Sequence, residues 1–165
     1  MATQNVFVTV GTTKFDKLIE TVTSAEVLHI LSSLGYDSVT LQIGNGSFEP
    51  VESNIIKISY YRLKPSIKDD IRNARLVISH AGAGSCLEVM SEHKPLIAVI
   101  NEDLMGNHQQ EIAKALSNRG HLKYCNCSDL SIILECRQFE HFKLYRAENS
   151  RRFTNYLDKC IGFSV

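Results

Sequence analysis

Apolar residues fall along this 165-residue chain in short blocks whose period changes repeatedly. Residues 5–10 are dense in β-branched and apolar side chains, read as a buried strand, and are closed by Gly11, Thr12 and Thr13. Phe15, Leu18, Ile19 and Val22 then recur at helical spacing, which predicts a helix folding back from the glycine turn. Ser24 suits the cap of a second helical stretch that turns Val27, Leu28, Leu31 and Leu34 inward and stops at Gly35. Residues 39–43 form the next strand, ended by Gly44, Asn45 and Gly46, and residues 47–54 are polar and irregular. Residues 55–60 predict a third strand, and Pro65 excludes an uninterrupted helix after it. Ile67, Ile71 and Ala74 mark a short helix before a fourth strand at 76–78. A helix over 85–92, a strand over 96–100, a helix over 107–117 and a short strand at 122–124 complete the series.

Strands and helices of these lengths in alternation predict an α/β fold: a doubly wound, mostly parallel, Rossmann-like sheet over residues 1–127. From about residue 128 the pattern turns helical, through Leu130, Ile133, Leu134, Phe139, Phe142 and Tyr145. Phe153, Tyr156, Leu157, Cys160 and Ile161 continue it on a segment made basic by Arg146, Arg151, Arg152 and Lys159. Residues 128–165 are therefore expected to be a C-terminal helical tail. Its apolar face either packs on the chain's own sheet or docks a partner subunit or membrane surface.

Charge changes this picture little. Lys plus Arg and Asp plus Glu both number 18, so global charge gives no reason to expect nucleic acid as a partner. No stretch approaches the ~18 apolar residues of a membrane span, and no signal-peptide pattern precedes the first strand. The expectation is a cytoplasmic chain. Five cysteines, an odd number, suit reduced thiols. Cys125 and Cys127 lack a second pair at metal spacing and read as structural; with no Asp-x-Asp metal motif in the chain either, no metal is expected, and no other cofactor.

The chemistry gathers in residues 76–111. A strand runs into His80, a turn containing Gly82, Ala83 and Gly84, and then a helix, which is the arrangement of a phosphate loop at the carboxyl end of a parallel strand. The glycines allow close backbone approach and positive φ where needed, and the helix start favours an anion. A third glycine is absent, which argues against the dinucleotide fingerprint. Ser85 and Glu88 have the spacing of a capping box; Glu88 is equally placed to accept hydrogen bonds from a ribose diol. His80 is either a buried structural histidine or a phosphate donor. Cys86 lies beside Ser85, but no nucleophile-elbow motif surrounds them and Cys86 is expected to face the core. Asn107, His108, Gln109 and Gln110 carry amides and an imidazole suited to sugar hydroxyls, while Asn107 is also a plain helix cap.

Residues 80–88, Lys94 to Leu96 and residues 107–110 together resemble the nucleotide-sugar half of GT-B glycosyltransferases, and more narrowly the glycosyltransferase-28 C-terminal domain. With residues 8–13, 41–46 and 78–85 added, the chain is similar to the small cytosolic subunits of the eukaryotic enzyme that adds the second N-acetylglucosamine to the dolichol-linked oligosaccharide. The resemblance spans roughly residues 5–125. It implies transfer from UDP-N-acetylglucosamine to N-acetylglucosaminyl-diphosphodolichol, with inversion, on the cytosolic face of the endoplasmic reticulum. It also implies a membrane-anchored partner that supplies the acceptor side. The backbone near Gly82, Ala83, Gly84 and Ser85, with His80, would hold the diphosphate, and Glu88 would hold the ribose. Asn107, Gln109 and Gln110 would meet the sugar or phosphate, as would His108; the general base is expected across the cleft on the partner, with His108 the alternative on this chain. Gly11, Thr12 and Thr13 would face donor phosphates or acceptor, and uracil would rest near residues 60–64. The other reading of the same residues is a nucleotide-sugar-binding or regulatory module without transfer activity.

Overall fold

A computed structural model describes residues 2–104 and 108–146 together with Arg151 and Asn155, the side chains of His108 and Gln109 excepted. Six strands, β1 (Asn5–Thr9), β2 (Ser38–Gln42), β3 (Lys57–Tyr61), β4 (Ala74–His80), β5 (Leu96–Val99) and β6 (Lys123–Cys125), form one sheet. Its order is β3-β2-β1-β4-β5-β6, and every pairing is parallel. The helices are α1 (Asp16–Val22), α2 (Ala25–Ser33), α3 (Lys68–Asn73), α4 (Ala83–Ser91), α5 (His108–Asn118) and α6 (Leu130–Cys136).

The period of two within each strand divides the core into two layers. Val6, Val8, Leu76, Ile78, Ile97 and Val99 face α1, α2 and α6, whereas Phe7, Val77, Leu96 and Ala98 face α3, α4 and α5. All ten of these side chains are buried, which is why the central strands read as near-continuous apolar runs. The crossovers leave β1 and β4 on opposite faces and toward opposite edges. The sheet therefore opens a crevice where those two neighbouring strands end, the position at which doubly wound sheets take ligands.

Local signals act as the spacing predicts at several ends. Ser24 caps α2 by accepting from the Val27 amide at 3.3 Å, and Gly35 follows the helix with φ 93°. Lys94, next to the proline before β5, donates to the carbonyls of Arg72 and Ala74 at 2.6 and 2.9 Å, closing the C-terminal end of α3. Replacing Lys94 by methionine keeps the stem and removes the charge. We expect a loss of about 1 kcal/mol in urea unfolding, with ligand binding at the distant crevice unchanged.

The tail departs from expectation. Among the described residues after 128 the helix is interrupted, because Arg137 takes φ 55° and ends α6. A 3-10 turn, Gln138–Glu140, then buries Phe139 in the layer of α1, α2 and α6. Beyond it the chain crosses to the other face. The Lys143 amide donates to Gly120 at 2.8 Å, the Lys143 carbonyl lies 2.8 Å from His121 Nδ1, and Tyr145 meets the His121 ring edge-on at 5.7 Å. Residues 130–145 are thus packed into both layers of the sheet domain, since Leu130, Leu134 and Phe139 are needed to fill it. Phe153, Tyr156, Leu157, Cys160 and Ile161 lie outside the described residues.

Candidate nucleotide-sugar site

The first wall of the crevice is the loop after β1. Gly11 takes φ 61°, and its amide donates to Thr9 Oγ1 at 3.0 Å. Thr13 is tied down by its own hydroxyl, which donates to the Val10 carbonyl at 2.7 Å, and Thr12 and Thr13 are both exposed. A second loop braces this one. Asn45 donates from its side chain to the Thr12 carbonyl at 2.9 Å and from its backbone to Thr13 at 3.1 Å. Asp16 accepts from the amides of Ser47 and Phe48 at 3.0 and 3.3 Å. Gly44, Asn45 and Gly46, which close a strand in the sequence reading, therefore hold the loop after β1 in place.

The end of β4 supplies the second wall. His80 is half-buried, its imidazole wedged between two glycines: a methyl group on Gly11 would stand 2.9 Å from its Cε1, and one on Gly82 2.5 Å from its Nε2. Gly82 has φ −70°, so its requirement is space for this ring and not a left-handed backbone. That corrects the expectation that both glycines of the turn serve ligand approach or positive φ. His80 Nδ1 is buried without a hydrogen-bond partner among the described residues. Burial pushes the imidazole below its ordinary pKa, an effect that the nearby Thr9 backbone partly opposes. The ring is accordingly neutral at pH 7, and any bond it makes to an anion is that of a neutral imidazole.

A stability consequence follows. Above pH about 6.5 the ring is neutral in both folded and unfolded chains. Below that value the unfolded chain binds a proton that the folded one resists, so stability falls with pH until the folded ring also protonates. Urea midpoints at pH 7.5 and 5.5 should show this drop, and His80→Asn should reduce it.

Helix α4 rises from this wall. Its N-cap is Gly82, which offers no side-chain cap, so the amides of the first turn have no partner among the described residues. The capping-box reading of Ser85 and Glu88 is overturned: the helix starts at Ala83, which puts Ser85 inside the first turn, too late to cap it. Glu88 then lies one turn further along the same face, half-buried and without a hydrogen bond or ion pair among the described residues. Cys86, Val89 and Met90 take the inward face, and burial pushes the Cys86 thiol up to about 12, which removes it as a nucleophile. Nothing lies within 4 Å of where a side chain on Gly84 would begin. Gly84, Ser85 and Glu88 thus line an open stripe leading away from the uncapped turn.

The other predicted contacts are partly placed. Asn107 lies outside the described residues, and so do the side chains of His108 and Gln109, although the backbone of both belongs to the first turn of α5. Gln110 is exposed and faces a cavity of about 660 Å³ at the carboxyl ends of β5 and β6. Residues 60–64 end β3, two strands from the crevice. There Arg62 donates to the Gly46 carbonyl at 2.7 Å and pairs with Glu49 at 2.9 Å. Lys64 binds Asp70, which also accepts from the Tyr61 hydroxyl at 2.7 Å. Among the described residues no three His, Cys, Asp or Glu side chains come together as a metal site, and no helix is long and apolar enough to cross a membrane.

A 3-2-1-4-5-6 parallel sheet with an uncapped helix at its reversal point defines an α/β protein of the doubly wound, Rossmann-like class. The chain belongs to the glycosyltransferase family 28 C-terminal domain family, whose model matches residues 5–159. It is 54% identical over 128 residues to the human protein named UDP-N-acetylglucosamine transferase subunit ALG13, a match covering 76% of this chain and 11% of the human one. This chain therefore corresponds to a small part of that relative. The Saccharomyces cerevisiae protein of the same name is 28% identical over 191 residues, covering 94% of this chain and 95% of the yeast one. A solution NMR structure of ALG13 superposes with a TM-score of 0.70 at 27% identity, covering 94% of this chain and 95% of that one.

Proposed function

We propose that this chain is the donor-binding subunit of an inverting glycosyltransferase that moves N-acetylglucosamine from UDP-N-acetylglucosamine to an N-acetylglucosaminyl-diphosphodolichol acceptor. The observation that carries the reading is the uncapped start of α4, open at Gly84 and followed on the same face by the unpartnered carboxylate of Glu88. The amides of Ala83, Gly84 and Ser85 and the helix dipole bind the diphosphate, and Glu88 accepts from the ribose hydroxyls. The relatives' name, a transferase subunit using UDP-N-acetylglucosamine, supports the choice of donor.

In the reaction the acceptor hydroxyl attacks the anomeric carbon as the bond to UDP breaks. UDP leaves with the electron pair, and the hydroxyl proton passes to a base. The first turn of α4 stabilises the charge that develops on the departing diphosphate, with neutral His80 as a further hydrogen-bonding group. No resident metal enters this scheme, so chelation with EDTA should leave transfer intact. The base lies on a second subunit, membrane-anchored and seated on the cytosolic face of the endoplasmic reticulum; His108 is the alternative base, on this chain.

The test is transfer of radiolabelled N-acetylglucosamine on membranes carrying the partner, with and without this chain. Product should require both. Full transfer by the purified chain alone would overturn the two-subunit scheme, and absence of transfer with intact UDP binding would reduce the chain to a binding module.

A further inference from the structure

A cavity among the described residues is distinct from the crevice between β1 and β4. It lies at the carboxyl ends of β5 and β6, on the same edge of the sheet, and has a volume of about 660 Å³. Its apolar lining is Ile100, Leu104, Tyr124, Ile132 and Ile133. Two of these stand open to solvent side by side on one cavity: Ile132 is 56% and Leu104 49% accessible. They come from different elements, α6 and the loop after β5. Helix α6 satisfies its own domain with Leu130 and Leu134, which are fully buried, so Ile132 contributes nothing to that core.

The charges of the lining have one sign. Glu102 and Asp129 contribute carboxylates, and among the described residues no Lys, Arg or His lines the cavity. Glu102 accepts from the Asn126 amide at 3.1 Å, and the Asp129 carboxylate has no partner among the described residues. A diphosphate, whether of a nucleotide sugar or of a lipid, meets repulsion here and belongs at α4 instead. An apolar segment carrying cations meets both buried area and complementary charge.

We propose that this cavity is a docking groove for the second subunit, and that it takes apolar side chains from a segment flanked by Lys or Arg. The inference rests on the two-subunit reading above and deepens it, because a partner held at this edge stands beside the donor crevice that it must complete.

Two labelled peptides test it, each with a leucine–isoleucine–leucine core flanked on both sides by a pair of lysines or a pair of glutamates, titrated against the full chain by fluorescence anisotropy. The lysine-flanked peptide should bind and the glutamate-flanked one should not, with affinity falling as salt rises. Ile132→Asp should weaken binding at least tenfold while UDP binding by the same protein persists. The Glu102→Lys, Asp129→Lys double variant should reverse the preference, and it decides the matter if Ile132→Asp does not fold. Equal binding of both peptides, binding of neither, or a double variant with unchanged preference would overturn the proposal. A wild-type chain that binds the lysine-flanked peptide but not UDP would instead sink the donor-binding reading and leave the groove standing.

Discussion

Glu88→Ala will weaken UDP binding by roughly 5- to 150-fold, the equivalent of about 1–3 kcal/mol for a charge-assisted hydrogen bond to a ribose. The same substitution will leave the unfolding midpoint within about 0.5 kcal/mol of wild type. These two expectations belong together. Had Glu88 closed a capping box with Ser85, its removal would have destabilised the helix. The helix begins at Ala83, and the carboxylate has no intramolecular partner among the described residues. Calorimetric titration with UDP, paired with urea unfolding, separates the cases. Unchanged UDP affinity in a stable Glu88→Ala protein would remove the ribose role.

Gly44→Ala will be the most damaging single-methyl change in the loops around the crevice, lowering stability by roughly 2–4 kcal/mol. The added carbon would stand 2.3 Å from the Thr13 carbonyl and 2.9 Å from that of Gly11, and both are backbone atoms that cannot swing aside. The residue also sits at φ 57°, where alanine is strained. Gly35→Ala is the matched control. It too has a positive φ, 93°, but nothing lies within 4 Å, so only the conformational cost of about 1–2 kcal/mol applies. UDP binding should fall for Gly44→Ala, because the displaced Thr13 and Gly11 carry the first wall of the crevice. Urea unfolding of the two variants measures the difference, and equal losses would mean that the loop yields at no cost.

Much of the fold was legible because burial writes a short-range pattern. The central strands show unbroken β-branched runs where two helix layers cover them, and Ser24 and Gly35 mark the ends of α2 by local hydrogen bonding and local φ. Legibility ended where a contact joins distant segments. Nothing near Gly46 predicts that Asp16 occupies the space its side chain would need, and nothing near Lys94 points to the end of α3. The break in the tail at Arg137 was not legible, because Phe139 and Tyr145 keep apolar spacing although they serve opposite faces of the sheet.

The sequence by itself determined the alternation of strands and helices, the glycine turn after His80 and the family resemblance, since all three depend on residues adjacent in the chain. Tertiary structure alone decided what each glycine is for. Gly82 and Gly11 make room for the His80 ring, and Gly84 faces open space. Those roles depend on which atoms stand within 4 Å of a missing side chain; for Gly11 they belong to His80, some seventy residues away in sequence yet at the end of the neighbouring strand.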